Sequence, residues 1–257
     1  MYKEERTSVV LQNCGHKLFA ILHMPIIKEK VPAVMICHGF GGNKIGSNRL
    51  FVLLAEALSS SGIATLRLDL RGAGDSEGDF KETTIFGLLS DIVTGLHFLG
   101  SHEKVHPNRI GTLGVSLGGM LSIMAAKQFN TIASLALWAP VASSFQWEDE
   151  KSREVLSQHD YIEYNGKLVT KRFYEEFFMI DIEPELQALG RTPLLHIHGQ
   201  KDSIVSQEHQ EKYKSWRKEA SAANKFITLS EIDHSFSDRK EQQMMLQETT
   251  KWFKETL

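Results

Sequence analysis

The feature that most constrains this chain is a regular exchange of two apolar patterns. Residues 33–37, 64–70, 110–115, 132–138, 193–198 and 225–229 are short, largely apolar runs of strand length. Between them, apolar residues recur every three or four positions. Leu50, Leu54 and Leu58 form one stripe, and Ile85, Leu88, Leu89, Ile92, Leu96 and Leu99 form another. Such spacing marks a helix with one buried face, whereas an unbroken apolar run marks a strand covered on both faces. Further helical patterns lie at 120–129, at Val205, His209, Tyr213 and Trp216, and at Met245, Leu246, Thr249 and Phe253. Strand and helix in alternation predict an α/β fold, a mostly parallel central sheet with helices on both faces.

Two departures from the alternation define the organisation. Near the start, two apolar runs within residues 7–23 flank Asn13-Cys14-Gly15-His16, a hairpin signal in which Gly15 supplies positive φ. From about 141 to 190 the sequence turns polar, charged and aromatic, with Phe145, Trp147, Tyr161, Tyr164, Phe173, Tyr174, Phe177 and Phe178 crowded together. So long a break inside one compact domain predicts a cap inserted into a single domain spanning 1–257, rather than a bare loop.

Composition excludes several classes of partner. A net charge of −3 gives no electrostatic footing for nucleic acid. No apolar run reaches the ~18 residues of a membrane span, and the charged start Met1-Tyr2-Lys3-Glu4-Glu5-Arg6 does not read as a signal peptide. The expectation is a cytoplasmic monomer or homodimer whose two cysteines, Cys14 and Cys37, stay free.

Gly114-Val115-Ser116-Leu117-Gly118 reads G-x-S-x-G and falls between a strand pattern and a helix pattern. A serine on that sharp turn is lifted above the sheet, but its hydroxyl needs a base within hydrogen-bond reach to act as a nucleophile. His234 follows the last strand pattern, and Asp202 follows the one before it, the chain order serine, acid, histidine that suits this turn. Asp233 is the weaker acid candidate, because sequence neighbours rarely present their side chains to one another. His38-Gly39-Phe40-Gly41-Gly42 follows the strand at 33–37, so the backbone amides of Phe40 and Leu117 are the expected oxyanion donors. His196 and His198, two apart on a strand, share a face; without a third ligand they read as packed histidines rather than a metal site. The run 69–78 is glycine-rich but fails the spacing of both nucleotide-binding fingerprints, and reads as a structural loop braced by its Asp and Arg.

Together, His38-Gly39-Phe40-Gly41-Gly42, residues 69–76, Gly114–Gly119, residues 198–202 and Asp233-His234-Ser235-Phe236 resemble the α/β-hydrolase superfamily, and within it the small bacterial cinnamoyl and feruloyl esterases. The resemblance runs from about Lys17 onward and is weakest in the insertion. It implies an α/β-hydrolase fold with a compact cap over the acyl pocket. It also implies a Ser116–His234–Asp202 triad, oxyanion positions at Phe40 and Leu117, no cofactor, and a small-molecule carboxylic ester of short-chain or aryl type as substrate. Where that group often has His before the nucleophile and Gln after it, this chain has Val115 and Leu117. A backbone donor survives that change, while the polar contacts near the ester do not carry over. The alternatives are an amidase or peptidase on the same scaffold and a non-catalytic ligand-binding relative.

Overall fold

A computed structural model of the chain describes residues 2–147, 154, 155, 158–164 and 166–257. The first two strands, β1 (Glu4–Asn13) and β2 (His16–Pro25), form an antiparallel hairpin. Its turn residues, Cys14 and Gly15, have φ of 48° and 85°. Positive φ at both central positions matches the right-handed twist of the flanking strands.

Six parallel strands follow: β3 (Val31–Cys37), β4 (Ala64–Leu68), β5 (Val105–Val115), β6 (Ile132–Trp138), β9 (Leu194–Gly199) and β10 (Asn224–Leu229). The sheet runs in the order β1-β2-β4-β3-β5-β6-β9-β10, with β2 antiparallel to β4 and every later pairing parallel. β4 ends at Leu68, short of the apolar pattern that runs to 70, because the Asp69 carbonyl is taken by the Ser76 hydroxyl at 2.6 Å.

Alternation along β3 divides the core. Ala33, Met35 and Cys37 join the layer under α2 (Ile85–Ser101) and α3 (Leu117–Phe129). Val34 and Ile36 face the opposite layer, built by α1 (Leu50–Ser60) and the closing helix α7 (Arg239–Thr256). A side-chain period of two puts neighbours on opposite faces, so both layers draw on every central strand. This is the α/β-hydrolase fold. Its parallel strands all end at one edge, and the loops leaving that edge carry the residues singled out above.

Within the interval 141–190, two short strands form a separate antiparallel hairpin, β7 (Tyr161–Tyr164) with β8 (Lys167–Thr170). The helix α4 (Lys171–Met179) follows, capped by Thr170 Oγ1 accepting from the Phe173 N–H at 3.2 Å. In α5 (Glu183–Ala188), Leu186 returns the chain to the main core. The helix α6 (Gln207–Trp216) lies between β9 and β10 in the chain.

Candidate active site

Ser116 sits between β5 and α3 with φ 55° and ψ −123°. A non-glycine residue pays on the order of 1–3 kcal/mol for such a conformation, which the surroundings must impose. They do so through the backbone. The Ser116 N–H donates to the Trp138 carbonyl at 3.0 Å, and its own carbonyl accepts from Gly119 at 3.0 Å and Val141 at 3.1 Å. The flanking glycines are sterically required. A Cβ on Gly114 would stand 2.5 Å from the Gly118 carbonyl oxygen, and one on Gly118 would stand 2.4 Å from the carbonyl oxygens of Cys37 and His38.

His234 and Asp202 lie on the loops after β10 and β9, and the fold brings both to Ser116. His234 Nε2 is 3.1 Å from Ser116 Oγ, and His234 Nδ1 is 2.7 Å from Asp202 Oδ2. The other carboxylate oxygen of Asp202 accepts from the amides of Ile204 at 2.9 Å and Val205 at 2.8 Å, so the buried acid is held on both sides. An ionised carboxylate that already accepts two amides can receive only a donor on its free oxygen. His234 Nδ1 therefore carries the proton, and Nε2 presents its lone pair to the serine hydroxyl. Asp233 turns the other way, accepting from the amide of Ser237 at 2.9 Å and its hydroxyl at 2.8 Å.

The loop 38–42 lies against the serine. A Cβ on Gly39 would meet Ser116 Cβ at 2.9 Å. Among the described residues, the amides of Phe40 and Leu117 have no protein acceptor, so both donors are free for a ligand. Leu117 also opens α3, where the helix dipole favours negative charge. His38 is buried, and burial lowers its pKa, keeping the ring neutral. Its Nε2 accepts from the Leu70 amide at 3.1 Å, which leaves the proton on Nδ1, 2.9 Å from the Gly39 carbonyl.

His196 and His198 are both buried, with His196 Nε2 3.2 Å from His198 Nδ1 and His198 Nε2 donating to the Val205 carbonyl at 2.8 Å. Burial lowers the pKa of each. The loop after β4 is a brace: Asp69 accepts from the backbone amides of Lys44 at 2.5 Å and Asp75 at 2.9 Å, and Arg71 grips Asp91 through Nε at 2.9 Å and Nη2 at 2.6 Å.

Ser116 and His234 open onto a cavity of about 710 Å³. Its walls include Phe40 and Leu117 from the body, and Trp147, Tyr164, Phe173 and Phe177 from the interval 141–190. Among the described residues, no Asp, Glu, Lys or Arg lines it. The Trp147 indole N–H donates to the Tyr164 hydroxyl at 3.0 Å, and Phe40 packs edge-on to Tyr164 and Phe173 at 5.7 and 5.8 Å.

One family model matches residues 50–257, a span that takes in the elbow, the acid and the histidine. The chain belongs to the prolyl oligopeptidase family. Among curated proteins, this family member is 26% identical over 233 residues to the esterase EstD of Thermotoga maritima, covering 79% of this chain and 54% of that one. It is 29% identical over 130 residues to the quorum-quenching protein AidA of Acinetobacter baumannii, covering 50% and 42%. The chain thus spans about half the length of these curated relatives. Among solved structures, Est1E of Butyrivibrio proteoclasticus with ferulic acid bound superposes with a TM-score of 0.81 at 23% identity, over 96% of this chain and 98% of that one. At that identity the likeness speaks for the fold. Among the described residues, no helix of this prolyl oligopeptidase family member is long and apolar enough to cross a membrane.

Sequence reasoning singles out Ser116, Asp202, His234, Phe40 and Leu117, and all five fall at one end of the sheet. It passes over His38, which carries a signal in standing directly before the glycines of the loop. It also passes over Gln146, which carries none.

Proposed function

We propose that the chain is a serine hydrolase that cleaves carboxylic esters, with Ser116 as nucleophile, His234 as general base and acid, and Asp202 as the group that orients and stabilises the imidazole. The observation that carries this reading is the hydrogen-bonded line from Asp202 through His234 to Ser116, ending in a cavity that, among the described residues, no charged side chain lines. His234 takes the hydroxyl proton as Ser116 attacks the ester carbonyl, and the amides of Phe40 and Leu117 receive the developing oxyanion. Collapse of the tetrahedral adduct expels the alcohol, which takes its proton from His234. Water, activated by the same imidazole, then releases the acid.

The aromatic walls, uncharged among the described residues, favour an uncharged acyl group of short-chain or aryl type, since burying a charge there without a partner is costly. Residues 141–190 act in this reading as a cap inserted into one α/β-hydrolase domain. The test is hydrolysis of a panel of p-nitrophenyl and aryl esters by wild type and by Ser116→Ala. Loss of nearly all turnover in a folded variant is expected; an unchanged rate would overturn the assignment. The peptidase name of the family motivates one rival, amide cleavage. Matched esters and anilides of one acid distinguish the two, and faster anilide hydrolysis would favour the rival.

A further inference from the structure

The turn that carries Asp202 is held from two directions, and one of them adjoins the wall of the cavity. From the body of the sheet, His198 Nε2 donates to the Val205 carbonyl at 2.8 Å. From the other direction comes Gln146. Its Nε2 donates to the Ile204 carbonyl at 2.7 Å, and its Oε1 accepts from the Ser206 amide at 3.1 Å. The same oxygen lies 3.1 Å from His209 Nε2. Because His209 Nδ1 accepts from the Ala142 amide at 2.8 Å, the ring proton sits on Nε2 and His209 is a further donor to Gln146. Phe145 stacks on the His209 ring at 4.9 Å. One side-chain amide therefore joins the chain leaving β6 to Ile204 and Ser206, on either side of Val205, whose amide supports Asp202.

The next residue belongs to the pocket. Trp147 lines the cavity, donates to Tyr164, and accepts from the Tyr174 hydroxyl through its carbonyl at 3.2 Å. Ile204, whose amide supports Asp202, lines the same cavity. The wall that meets an acyl group and the turn that holds the acid are thus neighbours through Gln146.

We propose that Gln146 is a positioning residue for Asp202, tying the aromatic wall of the pocket to the acid so that the one sets the alignment of the other on His234. The proposal rests on the functional reading above. The chemistry suits an amide. The site needs a donor toward Ile204 and an acceptor toward Ser206 on one planar fork, without a charge beside Asp202. Glutamate keeps the shape and the acceptor but loses the donor when ionised, and asparagine is one methylene short.

The experiment compares wild type, Gln146→Met and Gln146→Glu on p-nitrophenyl butyrate, together with the far-downfield proton resonance of the His234 Nδ1–H bond. For Gln146→Met, kcat falls by about ten- to a hundredfold, as misalignment by a fraction of an ångström to an ångström does. KM changes little, the acid limb of the kcat/KM profile moves to lower pH, and the resonance broadens or moves upfield. Gln146→Glu regains activity relative to wild type at acid pH, where its carboxyl is protonated and again offers a donor. A merely structural glutamine would change melting temperature without moving the profile or the resonance, and that result overturns the proposal. Should Gln146→Met fail to fold, the pH-dependent recovery of Gln146→Glu decides, and its absence counts against the clamp. Wild type inactive on every ester would sink the functional reading while leaving the resonance to test the clamp. Active wild type matched by both variants would sink the clamp alone.

Discussion

His38 Nδ1 donates to the carbonyl of Gly39, its own neighbour, at 2.9 Å, while Nε2 accepts from the Leu70 amide at 3.1 Å. The Gly39 carbonyl also accepts from the Gly42 amide at 3.1 Å. A peptide unit is planar, and in the trans form its C=O and N–H point in opposite directions. Fixing the Gly39 carbonyl therefore fixes the direction of the Phe40 N–H, one of the two proposed oxyanion donors. His38 thus aims this donor through the backbone carbonyl it holds.

For His38→Gln the expected outcome is a kcat about tenfold lower with KM nearly unchanged. That is part of the 10²–10³ lost when such a donor is removed outright. His38→Asn, whose amide nitrogen can stand near the position of Nδ1, should retain more activity. Steady-state kinetics on one ester checks both, and a KM effect without a kcat effect would contradict the role.

A second relationship is purely steric. A methyl on Gly118 would stand 2.4 Å from two backbone oxygens, those of Cys37 and His38, so only a shift of the elbow against the loop 38–42 can relieve it. Gly118→Ala should cost about 1–3 kcal/mol, the usual range for overpacking, and should also lower kcat because the proposed oxyanion donors move relative to Ser116. Gly166→Ala is the contrast. Gly166 has φ +71° but, among the described residues, nothing within 4 Å of where a methyl would stand, so strain alone should cost about 1–2 kcal/mol and leave kcat unchanged. Thermal melts paired with initial rates separate the two, and equal rates in both variants would refute the steric argument.

How much of this was legible in the sequence follows from how local each signal is. The parallel sheet shows itself in the apolar runs at 33–37 and 132–138, because strands covered on both faces admit few polar residues. Ser116, Asp202 and His234 are legible because each must stand just past the end of a strand, and residue type plus that position leaves few candidates. The hairpin of β7 and β8 is not legible. Each strand is four residues long, and Tyr161-Ile162-Glu163-Tyr164 alternates exposed and half-buried positions with no continuous apolar stretch. Gln146 is invisible for another reason: its meaning lies wholly in partners some sixty residues away, at Ile204, Ser206 and His209.

Several histidines are buried and neutral, and this sets a direction for stability against pH. Burial is the leading cause that lowers the pKa of His23, His38, His196 and His198, and it pushes His209 down to about 4. In the unfolded chain a histidine protonates near its ordinary value of about 6.5. Between about 6.5 and 4 the unfolded state therefore binds a proton at residue 209 that the native state refuses. Stability must fall as pH is lowered through that window and is fully present above it. For His209 alone the loss at pH 5 is about 2 kcal/mol by this linkage. Protonating its Nδ1 would also remove the acceptor for the Ala142 amide. Urea denaturation of wild type and His209→Gln at pH 7.5 and pH 5 measures the effect. The variant should be less stable at pH 7.5 yet lose less on acidification, since it has no group at 209 to titrate. An equal loss in the two proteins would show that residue 209 does not contribute to the acid sensitivity.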